Sequence, residues 1–108
     1  MAAIKVWVKQ PRELGKVQWV HDDLESLQAL VDGPIEVVRL KDPRYCLLVN
    51  EEGMLRGDMV LNLIMGMTFI FGPVVVIGLR ETEDGLEFCS CDLNAKQVRS
   101  LILKEGAF

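Results

Sequence analysis

Twenty-one consecutive residues, Met59 to Leu79, carry no charge and are rich in Val, Ile, Leu, Met and Phe. A helix of that length could cross a bilayer. The run also holds Asn62, Gly66, Gly72, Pro73 and Gly78, and Val74-Val75-Val76-Ile77 is β-branched throughout. That chemistry predicts an apolar turn of chain followed by a strand buried on both faces, at the centre of a sheet. The other segments are apolar on one face only and need such a strand to pack against. The expectation is therefore a domain core and no membrane span.

At 108 residues and 12.2 kDa the chain is predicted to form a single domain, residues 1–108. Ile4 to Lys9 alternates apolar and polar side chains, Pro11 to Gly15 breaks the pattern, and Lys16 to Val20 resumes it, which predicts a hairpin. Asp22-Asp23-Leu24-Glu25 opens a helix with an acidic cap, and Leu24, Leu27, Leu30 and Val31 form its apolar stripe. Gly33 and Pro34 stop it. Ile35–Leu40 and Tyr45–Val49 are the next strands, joined by the turn Lys41 to Arg44 and closed by Asn50-Glu51-Glu52-Gly53. A short helical turn is expected around Leu61–Met65. Strands follow at Pro73–Leu79 and Leu86–Cys91, and a last helix starts at Asn94, where Gln97 completes a capping box and Leu93 and Val98 have staple spacing. The predicted class is α+β: a mostly antiparallel sheet of five to six strands with two main helices packed on one face.

Charge and cysteine content narrow the function classes. Twelve basic against sixteen acidic residues give −4, the wrong sign for gripping a phosphate backbone, so direct DNA binding is not expected. Three cysteines in no paired spacing, and a Met1–Lys5 start without a basic-then-apolar leader, predict a reducing, cytoplasmic location. No nucleophile–base pair, phosphate loop or dinucleotide fingerprint is legible, so no catalytic residue and no cofactor are assigned. His21, the one histidine, reads as a cap or surface contact. Cys89 and Cys91 lack the four-ligand spacing of zinc and read as small buried hydrophobes; no metal site is predicted. Glu81, Glu83, Asp84 and Glu87 lack the alternating oxygens of a calcium loop and read as a solvated turn. Lys5, Trp7 and Lys9 share a strand face suited to single-stranded nucleic acid, but a solvated sheet face is the plainer reading. Two adjacent carboxylates at Glu51 and Glu52 exceed what a turn needs: keeping the turn soluble is the plainer reading, but they could also cap a backbone or receive a partner's arginines. The candidate binding site is therefore Asn50, Glu51, Glu52 and Gly53 with Asn62, flanked by Arg44 and Arg56 as bidentate donors.

Leu24 to Val38, with its Leu-Gln-x-x-Val-x-Gly-x-Ile-Glu core, resembles the signature of a family of small phage and mobile-element proteins catalogued as a domain of unknown function. The Asn50–Gly53 turn, the lone Asn62, the Gly72–Gly78 strand and the Leu93–Ile102 helix extend the resemblance over about residues 4–102. Leu63 to Phe71 departs from it, being more apolar than is usual there. The resemblance implies a small accessory protein of the host bacterial cytosol that works by stoichiometric binding. A counter-defence factor that inhibits a host protein or sequesters a nucleotide signal is the leading expectation. The rival is a metal-assisted nucleotide hydrolase using Glu51 and Glu52. Ile64, Met65, Met67, Phe69, Ile70 and Phe71 would overfill one small core, so a homodimer is also expected.

Overall fold

A computed structural model describes residues 3–106; Met1 and Ala2, of the expected Met1–Lys5 start, lie outside it, as do Ala107 and Phe108. The alternating N-terminus forms β1 (Ala3–Lys9) and β2 (Lys16–His21), a hairpin in which Trp7 faces Val17 and Lys5 faces Trp19. Helix α1 (Leu24–Val31) follows, capped by Asp23, whose carboxylate accepts the Ser26 N–H at 2.7 Å. The helix ends where Asp32 turns left-handed, with Gly33 N–H on the Gln28 carbonyl. Then come β3 (Ile35–Arg39), β4 (Tyr45–Asn50) and a single helical turn, α2 (Gly53–Arg56).

The expected helical turn at Leu61–Met65 is instead a strand. β5 (Leu61–Met65) pairs antiparallel with β6 (Thr68–Phe71) as a separate two-stranded sheet. An uninterrupted apolar stretch does not distinguish a helix from a buried strand by periodicity, and tertiary pairing decided it. β7 (Val74–Thr82), β8 (Gly85–Cys89) and α3 (Ala95–Lys104) complete the chain. The capping box is present on α3, with Asn94 and Gln97 bonded reciprocally.

The main sheet runs β2-β1-β7-β4-β3, and every neighbouring pair is antiparallel. β7 is the middle strand, as its β-branched run predicts. β8 pairs with the far half of β7, and Cys91 N–H reaches the Lys5 carbonyl at 2.7 Å, tying the exit of β8 to β1. With β8 included the sheet has six strands, and the class is α+β.

The helices do not share a face. Leu27 and Val31 of α1 pack with Ile4, Val6, Leu48, Val75 and Ile77. Val98 and Leu101 of α3 pack with Trp7, Leu47, Val74 and Val76 on the other side, where Leu63 and Ile70 of the small hairpin add cover. The reason is in β4 and β7, where every residue from Tyr45 to Asn50 and from Val74 to Leu79 is buried. Strands apolar on both faces need a layer on each. Leu24, expected in the apolar stripe of α1, is exposed.

The 21-residue run is thus divided between a covering hairpin and the central strand. Among the described residues no helix is long and apolar enough to cross a membrane.

Candidate functional site

The turn after β4 is held together by its own side chains. Asn50 is buried, and its Nδ2 donates to the carbonyls of Val31 at 2.9 Å and Asp32 at 3.1 Å, while its Oδ1 accepts from Glu52 N–H at 2.7 Å. Arg56 donates to the Asp32 carbonyl at 2.7 Å and pairs with the carboxylates of Asp32 and Asp58. Those two hydrogen-bonded carboxylates raise the guanidinium further above its ordinary value. Gly53 is buried where a Cβ would lie 2.6 Å from the Phe71 carbonyl oxygen, so only glycine fits beneath the β5–β6 hairpin. The predicted site residues Asn50 and Arg56 therefore spend their polar capacity on joining α1, β4 and α2, and Gly53 is taken up in packing against β6.

Asn62 and Arg44 go elsewhere. Asn62 Nδ2 donates to the carbonyls of Lys9 and Gly72 at 2.9 and 2.8 Å, and its Oδ1 accepts from Lys9 Nζ, which fastens β5 to the end of β1. Arg44 sits at the opposite end of β4 from Asn50. Glu51 and Glu52 remain as exposed carboxylates, and Glu51 N–H bonds the Pro34 carbonyl at 2.9 Å. Among the described residues, no three His, Cys, Asp or Glu side chains converge as a metal site.

The thiols are drawn into the fold. Cys91 and Cys46 are buried on opposite faces of the sheet and Cys89 is half-buried; burial pushes all three up, Cys46 to about 11. Such thiols are poor nucleophiles. Trp7, expected on a solvated face, lies under α3 and cannot stack an extended base.

A larger concavity lies at the Arg44 end. A groove of about 590 Å³ separates the Lys41–Arg44 turn from α3, with Tyr45, Leu93 and Leu101 in its floor. Lys96, Ser100 and Lys104 recur every four residues, so the helix presents them on one face, toward the turn. Lys41 and Arg44 line the opposite wall. Arg44 lies over the Tyr45 ring, 5.3 Å from its centroid, and forks onto Asp42 with 3.0 and 2.8 Å bonds. Those bonds hold the Asp42 carboxyl below the usual range. Tyr45 O–H donates to Asp92 at 2.8 Å, and burial pushes its phenol to about 12, so it stays a neutral donor. Lys41, Lys96 and Lys104 make no ion pair among the described residues. The consecutive amides of Lys41 and Asp42 both donate to one carboxylate, that of Glu105, at 2.8 and 3.3 Å. Paired backbone N–H groups of this kind form an anion-binding concavity.

This groove was not legible as a site. The Lys96-x₃-Ser100-x₃-Lys104 spacing is visible in the sequence, but its partner turn lies more than fifty residues away and only the fold brings them together. No curated protein and no solved structure matches the chain at a significant level. Residues 4–102 match the family model described as a domain of unknown function (DUF3846), and the chain belongs to that family.

Proposed function

We propose that this chain is a stoichiometric binding protein that takes an anionic, nucleotide-type ligand in the groove between the Lys41–Arg44 turn and α3. The observation that carries the reading is the gathering of Lys41, Arg44, Lys96 and Lys104 around one groove, against the two carboxylates of Asp42 and Glu105 there, on a chain of net charge −4. Its volume of about 590 Å³ is that of a small-molecule site. The lysines and the Lys41 and Asp42 amides suit phosphate oxygens. Arg44, with one face on Tyr45, leaves its outer face for a base, since a guanidinium plane is a stacking surface for nucleobases. Glu105 holds the two amides until a ligand phosphate displaces it.

The resemblance to small phage and mobile-element proteins supplies the context: sequestration of a nucleotide signal in the host cytosol as a counter-defence measure. Self-association belongs to the same reading. Met67 at the β5–β6 turn is 94% exposed and Phe69 49%, and Met and Phe are favoured at interfaces. No residue of this hairpin lines the α3 groove.

The test is incubation with a nucleotide panel at ten nucleotides per chain, followed by separation of bound, free and hydrolysed species. One equivalent bound and none converted is the expected result. Turnover beyond one equivalent contradicts the binding reading and favours a hydrolase.

A further inference from the structure

The two ends of the basic groove differ in chemistry. At one end the Lys41 and Asp42 amides hold the two oxygens of the Glu105 carboxylate, one oxygen each, at 2.8 and 3.3 Å. Lys104, the next residue along, lines the groove with Glu105. Glu105 is also the C-cap of α3, where the negative end of the helix dipole disfavours a carboxylate. The pull of the amide pair holds it there against that field. The turn is therefore a seat for an anion with two terminal oxygens, occupied by one of the chain's own.

The other end lies two helical turns back. Lys96, in the first turn of α3, lines the groove there, and the positive end of the dipole favours an anion beside it. Eight residues of helix set the Cα atoms of Lys96 and Lys104 about 12 Å apart. The segment between them lends Gln97, Ser100 and Leu101 to the groove, none of them charged. Two cationic ends with an uncharged middle complement a ligand whose own charges are set apart. The adjacent phosphates of a diphosphate concentrate charge at one point and occupy one end only. Phosphates on either side of a sugar reach both, since lysine stems are long and flexible.

We propose that the groove selects nucleotides whose phosphates are separated by a sugar, the class of nucleoside 3′,5′-bisphosphates and dinucleotides. One phosphate displaces Glu105 from the Lys41 and Asp42 amides and pairs with Lys104, and the other pairs with Lys96. The assignment rests on the nucleotide reading of the groove and adds to it the spacing of the charges.

The probes are the four ribonucleoside 3′,5′-bisphosphates and the four 5′-diphosphates, titrated by calorimetry into the parent, Lys96→Gln and Glu105→Gln. Each pair shares its base, its sugar and its number of phosphates. For the base that binds best, the bisphosphate is expected to bind about tenfold tighter or more. Lys96→Gln, at an exposed position, should weaken that bisphosphate about tenfold and the diphosphate less than about twofold. Glu105→Gln removes the competing charge and keeps one acceptor for the amides, so both ligands should bind about threefold tighter or more. A diphosphate that binds as tightly as its bisphosphate, or a Lys96→Gln variant that weakens both alike, overturns the spacing and leaves a nucleotide site standing. A Glu105→Gln variant that binds no tighter than the parent overturns the displacement. Absence of binding by the parent to all eight probes overturns the nucleotide reading and this assignment with it.

Discussion

Asn50 joins three pieces of chain through one amide group: the end of α1, the end of β4 and the start of the following turn. Asn50→Ala strands two carbonyls and the Glu52 N–H in a buried setting, and we expect a loss of about 2–3 kcal/mol. The urea midpoint should fall with the slope unchanged. A midpoint equal to the parent's would contradict the assignment. Cys46, wholly buried in β4, sets an alkaline limit. Its folded pKa is raised from 9.0 to about 11, so the unfolded thiol ionises first and stability is full below pH 9.0 and lost between there and about 11. On this account Cys46→Ala removes a contribution on the order of 2 kcal/mol to the fall across that window. Stability against pH, measured for both proteins, checks it; parallel curves would refute it. That Asn-Glu-Glu-Gly forms a turn was plain from its residues. That its Asn is structural was not, because the carbonyls it bonds come from a helix end that sequence does not place beside it.

At the level of elements, alternation and β-branching located β1, β2, β3, β4 and β7, and cap residues located α1 and α3. Two things escaped. The β5–β6 hairpin lies in a stretch without polar punctuation, where strand and helix look alike. The division of the helices between faces follows from β4 and β7 being buried on both sides, and requires knowing that β4, like β7, is central. The hairpin also separates two neighbouring side chains: Phe69 is half-exposed, while Ile70 is buried in the core beside Leu63. Ile70→Ser should cost about 3 kcal/mol or more through cavity and hydroxyl burial. Phe69→Ser should cost less than about 1 kcal/mol and weaken self-association. Sedimentation equilibrium decides the second point: the parent should exceed the 12.2 kDa monomer mass and Phe69→Ser should return to it. A parent that stays monomeric at about 100 µM would end the dimer assignment.

For the whole molecule, acid stability and the proposed ligand binding both trace to the distribution of carboxylates and cations. Hydrogen bonds hold the carboxyls of Asp23, Asp42 and Asp58 below their ordinary value. In each case the unfolded chain takes up the proton first, so the stabilisation is present above roughly pH 4 and is lost as pH falls through the lower folded values. Thermal melts should be flat from neutrality to about pH 5 and drop below pH 4; a melt that rises there would contradict this. The net acidity that argued against nucleic acid also concealed the groove, because a chain-wide sum cannot report four cations on one wall of a groove and one face of a helix. The most direct measurement is calorimetry of the nucleotide panel against the parent and a Lys96→Gln, Lys104→Gln double variant. Both lysines are exposed, so the variant keeps the fold. The account predicts one site per chain, weakened by salt, and at least tenfold weaker in the variant. No binding by the parent, or equal binding by both, would contradict it.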